Sequence, residues 1–180
     1  MIDLHYFTNN DIPQLMAWTD TPEFLFQWAG SSLKYPLTAE ELEQYVKKAN
    51  HKNSDVLIYK VVHIETGKSV GHISLGNINR ENGTARMCRV LIGDPTMQGK
   101  GIGKEMVKKL LTIAFDQLKL HKVSLAVFDF NESAFHLYQK MGFVTEGIIR
   151  EAYKVGRGYW SYYEMGILDR EWEIIKSRRN

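Results

Sequence analysis

Apolar and polar residues alternate through IDLHYFT at positions 2–8, which predicts a first strand. From Asp11 the spacing changes, and Ile12, Leu15, Met16 and Trp18 recur as on one face of a short helix. Residues 20–37 keep neither period. Phe24, Phe26, Trp28 and Tyr35 stand there among Gly30, Ser31, Ser32 and Pro36, and an irregular aromatic connection is expected. A second helix is expected over 39–50. Thr38 and Glu41 have capping-box spacing, Leu37 and Leu42 stand where a hydrophobic staple would, and Leu42, Tyr45, Val46 and Ala49 form the inner face.

Period two returns at Asp55. VLIYKVVHI, SVGHISLGNI and TARMCRVLIG read as three strands of an antiparallel meander, separated by the turns Glu65-Thr66-Gly67 and Glu81-Asn82-Gly83. A glycine run follows, then a helix to about Leu118 with Ile102, Met106, Leu110, Ala114 and Leu118 inward. KVSLAVF is apolar enough for a buried strand. NESAFHLYQKMG predicts a helix capped by Asn131 and closed by Gly142. FVTEGIIREAYKV and GYWSYYEMGIL predict two more strands around Gly156-Arg157-Gly158, and DREWEIIKSRR a terminal helix. The order β-α-α-β-β-β-α-β-α-β-β-α defines an α/β class with a mixed (α+β) sheet, because hairpins need antiparallel pairs and strand-helix-strand units need parallel ones.

Composition narrows this only a little. The 180 residues suit a single domain over 1–180, and a formal net charge of +2 gives no global pull toward nucleic acid or an acidic membrane. Cys88 is the one cysteine, so no internal disulfide is expected, and no Cys/His cluster predicts a metal site. A cytoplasmic setting is expected, with no signal peptide and no membrane span. The closing KSRRN is expected to be a solvated end.

Candidate chemistry begins at QGKGIG, residues 98–103. A Walker loop needs G-x-x-x-x-G-K-[ST], whereas five residues separate Gly93 from Gly99 and Gly101 follows Lys100. A dinucleotide fingerprint needs G-x-G-x-x-G after a first strand, and this run is G-x-G-x-G at the end of a meander. Two readings remain. Gly99, Gly101 and Gly103 let helix N-terminal amides approach a bulky anion, with Gln98, Lys100 and Lys104 adding donors and charge, or they serve a tight turn that needs φ > 0.

With the flanking segments included, the chain resembles the GCN5-related N-acetyltransferase (GNAT) superfamily. Gln98-x-x-Gly101-x-Gly103 is similar to its Q/R-x-x-G-x-G/A signature. Asn131 through Phe143 is similar to its N-x-x-A-x-x-x-Y-x-K-x-G-F stretch. The closing GIIREAYKVGRGYWSYYEMGILDREW suggests the ribosomal-protein-alanine N-acetyltransferase-like branch, although Trp160-Ser161 stands where that branch commonly has an aspartate.

The resemblance implies the GNAT acyl-CoA N-acyltransferase fold, a mostly antiparallel sheet with splayed parallel strands. It implies acetyl-CoA as cosubstrate, no metal, and direct transfer to a primary amine of a small molecule or a protein N-terminus. The pyrophosphate is assigned to Gln98, Gly99, Lys100, Gly101, Ile102, Gly103 and Lys104. The pantetheine amides are assigned to the main chain of Val90, Leu91 and Ile92, freed by a bulge near Arg89, and to Asn131. Tyr138 is the expected acid for the leaving thiolate, a phenol near pKa ~10 being matched to that task. Trp28 and Tyr35 are candidate walls of the acceptor site. Glu146, Glu151, Glu164 and His72 are candidates for the base, which stays unassigned. The rival class is a non-catalytic acyl-CoA-binding sensor or scaffold, and an exposed strand invites a homodimer.

Overall fold

Short alternating segments and well-marked caps resolve into seven strands and six helices in the computed structural model, which describes residues 1–177. Arg178, Arg179 and Asn180, the end of the basic tail, lie outside the described residues. In chain order the strands are β1 (Ile2–Tyr6), β2 (Leu57–His63), β3 (Ser69–Asn79), β4 (Thr84–Ile92), β5 (Lys122–Phe128), β6 (Val144–Val155) and β7 (Gly158–Leu168). The helices are α1 (Ile12–Trp18), α2 (Pro22–Ala29), α3 (Ala39–Lys47), α4 (Ile102–Leu111), α5 (Glu132–Lys140) and α6 (Asp169–Ser177). The sheet runs β1-β2-β3-β4-β5-β7-β6. Antiparallel pairs join β1 to β2, β2 to β3, β5 to β7 and β6 to β7, while β4 and β5 pair in parallel at Thr84–Arg86. The expected mixed sheet is therefore present.

The chain divides into two compact units: Met1–Ile78 with Met87–Leu110, and Asn79–Arg86 with the chain from Leu111 on. In the first, Phe7, Ile12, Leu15, Leu25, Leu42 and Ile58 build a core beneath α1, α2 and α3. The Thr38 hydroxyl accepts from Glu41 N, the Glu41 carboxylate faces back to Thr38 N, and both staple leucines are buried. Two glycines here mark close approaches. A Cβ on Gly71 would collide with the Leu91 carbonyl, and one on Gly93 would collide with the Trp18 indole.

Two expectations are corrected. Residues 20–37 are not irregular throughout, because Pro22–Ala29 forms α2, with the Thr21 side chain accepting from Phe24 N. Thr21-Pro22-Glu23 is a helix start in its own right: an N-cap, a proline at N1 and an acid in the first turn. The helix after the glycine run does not stay α-helical to Leu118. It passes into a π segment at Thr112–Gln117, closed by Leu118 N donating to Ile113 O at 2.9 Å. Met106, Leu110 and Ala114 are buried at four-residue intervals that outrun a 3.6-residue turn, and the wider π turn accommodates that spacing, while Leu118, expected inward, is only partly buried.

In the second unit, Leu125, Met165 and Ile167 are buried, and Phe115 stacks on Trp172 with centroids 6.3 Å apart.

Candidate active site

Within the first unit, the exit of β4 is built from local turn chemistry. Arg89 adopts φ 52°, left-handed backbone inside a strand and the conformation of the first residue of a G1 bulge. After β4, Asp94 accepts from Thr96 N at 2.9 Å and from Thr96 Oγ1 at 2.7 Å. Those bonds hold the Asp94 carboxyl below the usual carboxylate range. The short turn Pro95–Met97 then delivers Gln98, whose N–H donates to Pro95 O at 3.2 Å.

Gly99 and Gly101 have φ 73° and 80° and require left-handed backbone. No heavy atom beyond their chain neighbours comes within 4 Å of where their Cβ atoms would stand. The glycines serve a turn that needs φ > 0, and the bare side of that turn is open at the N-terminus of α4. The first-turn amides of a helix have no partner inside it, and its dipole favours an anion there. Gln98, Lys100 and Lys104 are exposed around this opening, whereas Ile102 and Gly103 are buried, so Ile102 has only its main chain to offer.

Within the second unit, Asn131 caps α5 by accepting from Ala134 N at 3.3 Å through Oδ1. The cap leaves the Nδ2 amide as the group this side chain can offer a ligand. At the other end, Gly142 N donates to Gln139 O and Phe143 N to Tyr138 O, both at 3.0 Å, with Gly142 at φ 96°. This is a Schellman motif, and its customary apolar pair is Tyr138 with Phe143, centroids 5.9 Å apart. Tyr138, 7% exposed, is fixed in ring and main chain by the end of its own helix.

Two of the base candidates carry ion-pair partners. Glu146 takes Lys122 Nζ on both oxygens, at 2.6 and 2.8 Å, and Glu164 forms a two-pronged pair with Arg86. Glu151 is exposed at φ 50°, in the register shift of β6, where its N–H donates to Ser161 Oγ at 2.9 Å. Ser161 thus ties the two last strands together. His72 is fully buried. Trp28 is a core residue packed edge-on to His72, while Tyr35 is half exposed and donates to Asp20 O at 3.2 Å. Among the described residues no three His, Cys, Asp or Glu side chains group as metal ligands, and no helix is long and apolar enough to cross a membrane.

A strand with a left-handed break, followed by an open glycine turn on a helix, in a seven-stranded mixed sheet, fits the acyl-CoA N-acyltransferase architecture that the sequence resemblance implies. The Acetyltransferase (GNAT) domain family matches residues 2–144, and the chain belongs to that family. It is similar to the spermidine N(1)-acetyltransferase of Vibrio cholerae, 33% identical over 72% of each chain. It is also similar to the putative ribosomal N-acetyltransferase YdaF of Bacillus subtilis, 31% identical over 59% of this chain and 57% of that one. The crystal structure of the Vibrio cholerae spermidine N-acetyltransferase in complex with CoA and spermine superposes with a TM-score of 0.83 at 25% identity, covering 96% of this chain and 98% of that one. The protein is an N-acetyltransferase, catalytic rather than a bare CoA-binding module.

Proposed function

We propose that the protein moves the acetyl group of acetyl-CoA directly to a primary amine of a small aliphatic polyamine, and that residues 1–180 act as one acetyltransferase domain. The observation that carries the cofactor assignment is the left-handed, exposed turn at Gly99 and Gly101, with open space where each Cβ would stand. Its first-turn amides, with Gln98, Lys100 and Lys104, hold the pyrophosphate, and the main chain of Val90, Leu91 and Ile92 pairs with the pantetheine amides. Asn131 Nδ2 adds one further bond. The polyamine acceptor rests on the Vibrio cholerae relative.

The chemistry asks little of the protein. The neutral amine attacks the thioester carbonyl, and the nitrogen, cationic in the tetrahedral intermediate, loses its proton to solvent. The C–S bond breaks and the thiolate takes a proton from the Tyr138 phenol, which solvent then restores, leaving a neutral amide and free CoA. A purified sample with acetyl-CoA tests this against a panel of spermidine, spermine, an aminoglycoside and a peptide with an N-terminal alanine. Thiol release and product mass are the readouts. Release with the polyamines supports the reading, and release with the peptide alone replaces the acceptor. Tight CoA binding without release for any amine overturns transfer altogether. Homodimer formation is a further proposal, resting on exposed Val144, Ile148 and Ile149 along the edge strand β6, and sedimentation tests it.

A further inference from the structure

His72 and Ser74 lie two residues apart on β3, so their side chains share one face, and both are fully buried. Neither side chain is spent on its own strand. His72 Nδ1 lies 3.2 Å from the Arg89 carbonyl, and the Ser74 hydroxyl donates to the Cys88 carbonyl at 3.0 Å. A carbonyl only accepts, so Nδ1 carries the proton, and Nε2 is left with its lone pair and no partner among the described residues. Successive carbonyls of a regular strand point to opposite edges. Here two successive carbonyls of β4 both turn to side chains of β3, and the residue that owns the second is the left-handed Arg89.

The Arg89 side chain is fixed as well. Its guanidinium stands 4.4 Å from the Tyr45 ring centroid, and Nη2 donates to Ser32 Oγ at 2.9 Å. Around the imidazole, Phe7 and Trp28 pack edge-on at 5.1 and 5.5 Å and Tyr45 lies at 6.0 Å, so the ring has no room to turn the donor away. Val90, Leu91 and Ile92 follow directly on this break.

We infer that His72 and Ser74 are positioning residues, a two-bond clamp from β3 that holds the left-handed break of β4 and thereby frees the main chain of Val90–Ile92 for the pantetheine arm. The inference rests on the acetyl-CoA reading above. It assigns a task to two buried polar side chains that touch no reacting atom.

The test uses His72→Phe, which keeps a ring and loses the donor, His72→Asn, which restores a donor at the δ position, and Ser74→Ala. Affinities are measured calorimetrically for acetyl-CoA and for adenosine 3′,5′-bisphosphate, which lacks the pantetheine arm. Losing one buried hydrogen bond corresponds to about a tenfold change. His72→Phe and Ser74→Ala are expected to weaken acetyl-CoA binding by about that factor and leave the bisphosphate unchanged, with His72→Asn regaining most of the loss. Equal weakening of both ligands, or no recovery in His72→Asn, overturns the clamp in favour of plain core packing. Should His72→Phe fail to fold, Ser74→Ala decides alone, and wild-type affinity for acetyl-CoA in that variant overturns the clamp. A wild-type protein that binds the bisphosphate but not acetyl-CoA would instead remove the cofactor reading, and the clamp with it.

Discussion

Acidification should unfold this protein partly through His72. Burial is the main cause that lowers its pKa from 6.5 to about 4, with the neighbouring Arg89 charge adding to the shift and Asp11 and the Arg89 carbonyl opposing it. The native imidazole therefore stays neutral in a range where the unfolded one takes a proton. Between these values the unfolded state binds more protons, so this group's stabilisation is complete above about pH 6.5 and is lost as pH falls toward about 4. The full loss is about 3 kcal/mol, a large share of a typical domain stability of about 5–15 kcal/mol. Urea unfolding of the wild type and of His72→Asn, from about pH 7.5 to about pH 4.5, isolates the contribution because the surface carboxylates titrate alike in both. The wild type is expected to lose stability more steeply below about pH 6.5 than the variant does. Parallel curves would show that the imidazole is not buried neutral and would refute the tautomer argument together with the linkage.

Tyr138→Phe should lower kcat by about 100-fold, the low end for a general acid, with acetyl-CoA affinity nearly unchanged; an unchanged single-turnover rate would remove Tyr138 as the acid. Gly101→Glu puts charge and a strained φ on the open side of the cradle, so acetyl-CoA affinity should fall by at least about tenfold, and titration calorimetry would show otherwise. Thr38→Ala removes the α3 cap and should cost about 1 kcal/mol in urea unfolding with kinetic constants intact.

What the sequence disclosed was local. The Thr38–Glu41 box, the Asn131 cap and the Gly142 closure each put a chemical cause within three residues of its effect, and each appears in the fold. Strand β5 has the expected bounds for the same reason. Helix α2 was hidden because Phe24, Leu25, Phe26 and Trp28 spread apolar surface around the helix, so periodicity gave no face to read, although its cap signal was present. The left-handed Arg89 has no signal in its own residue type, since arginine is not a residue that favours that backbone, and the bulge near it is expected only through the family resemblance. Its restraints come from residues 17 and 14 positions from their partners, His72 to Arg89 and Ser74 to Cys88, and such a relation exists only in three dimensions. Two carboxylates with the right chemistry for a base carry partners that the sequence does not show, Lys122 on Glu146 and Arg86 on Glu164.

The two close-approach glycines differ in what stands against them, and that difference bears on how this sequence can drift. At Gly93 the obstacle is an indole, a side chain that a second substitution at Trp18 can shrink, so positions 18 and 93 form a couple able to change together. At Gly71 the obstacle is the Leu91 carbonyl, which every amino acid carries. No partner mutation relieves that clash. Among diverging descendants or in a randomised library, position 71 is therefore a frozen letter, while 18 and 93 should covary.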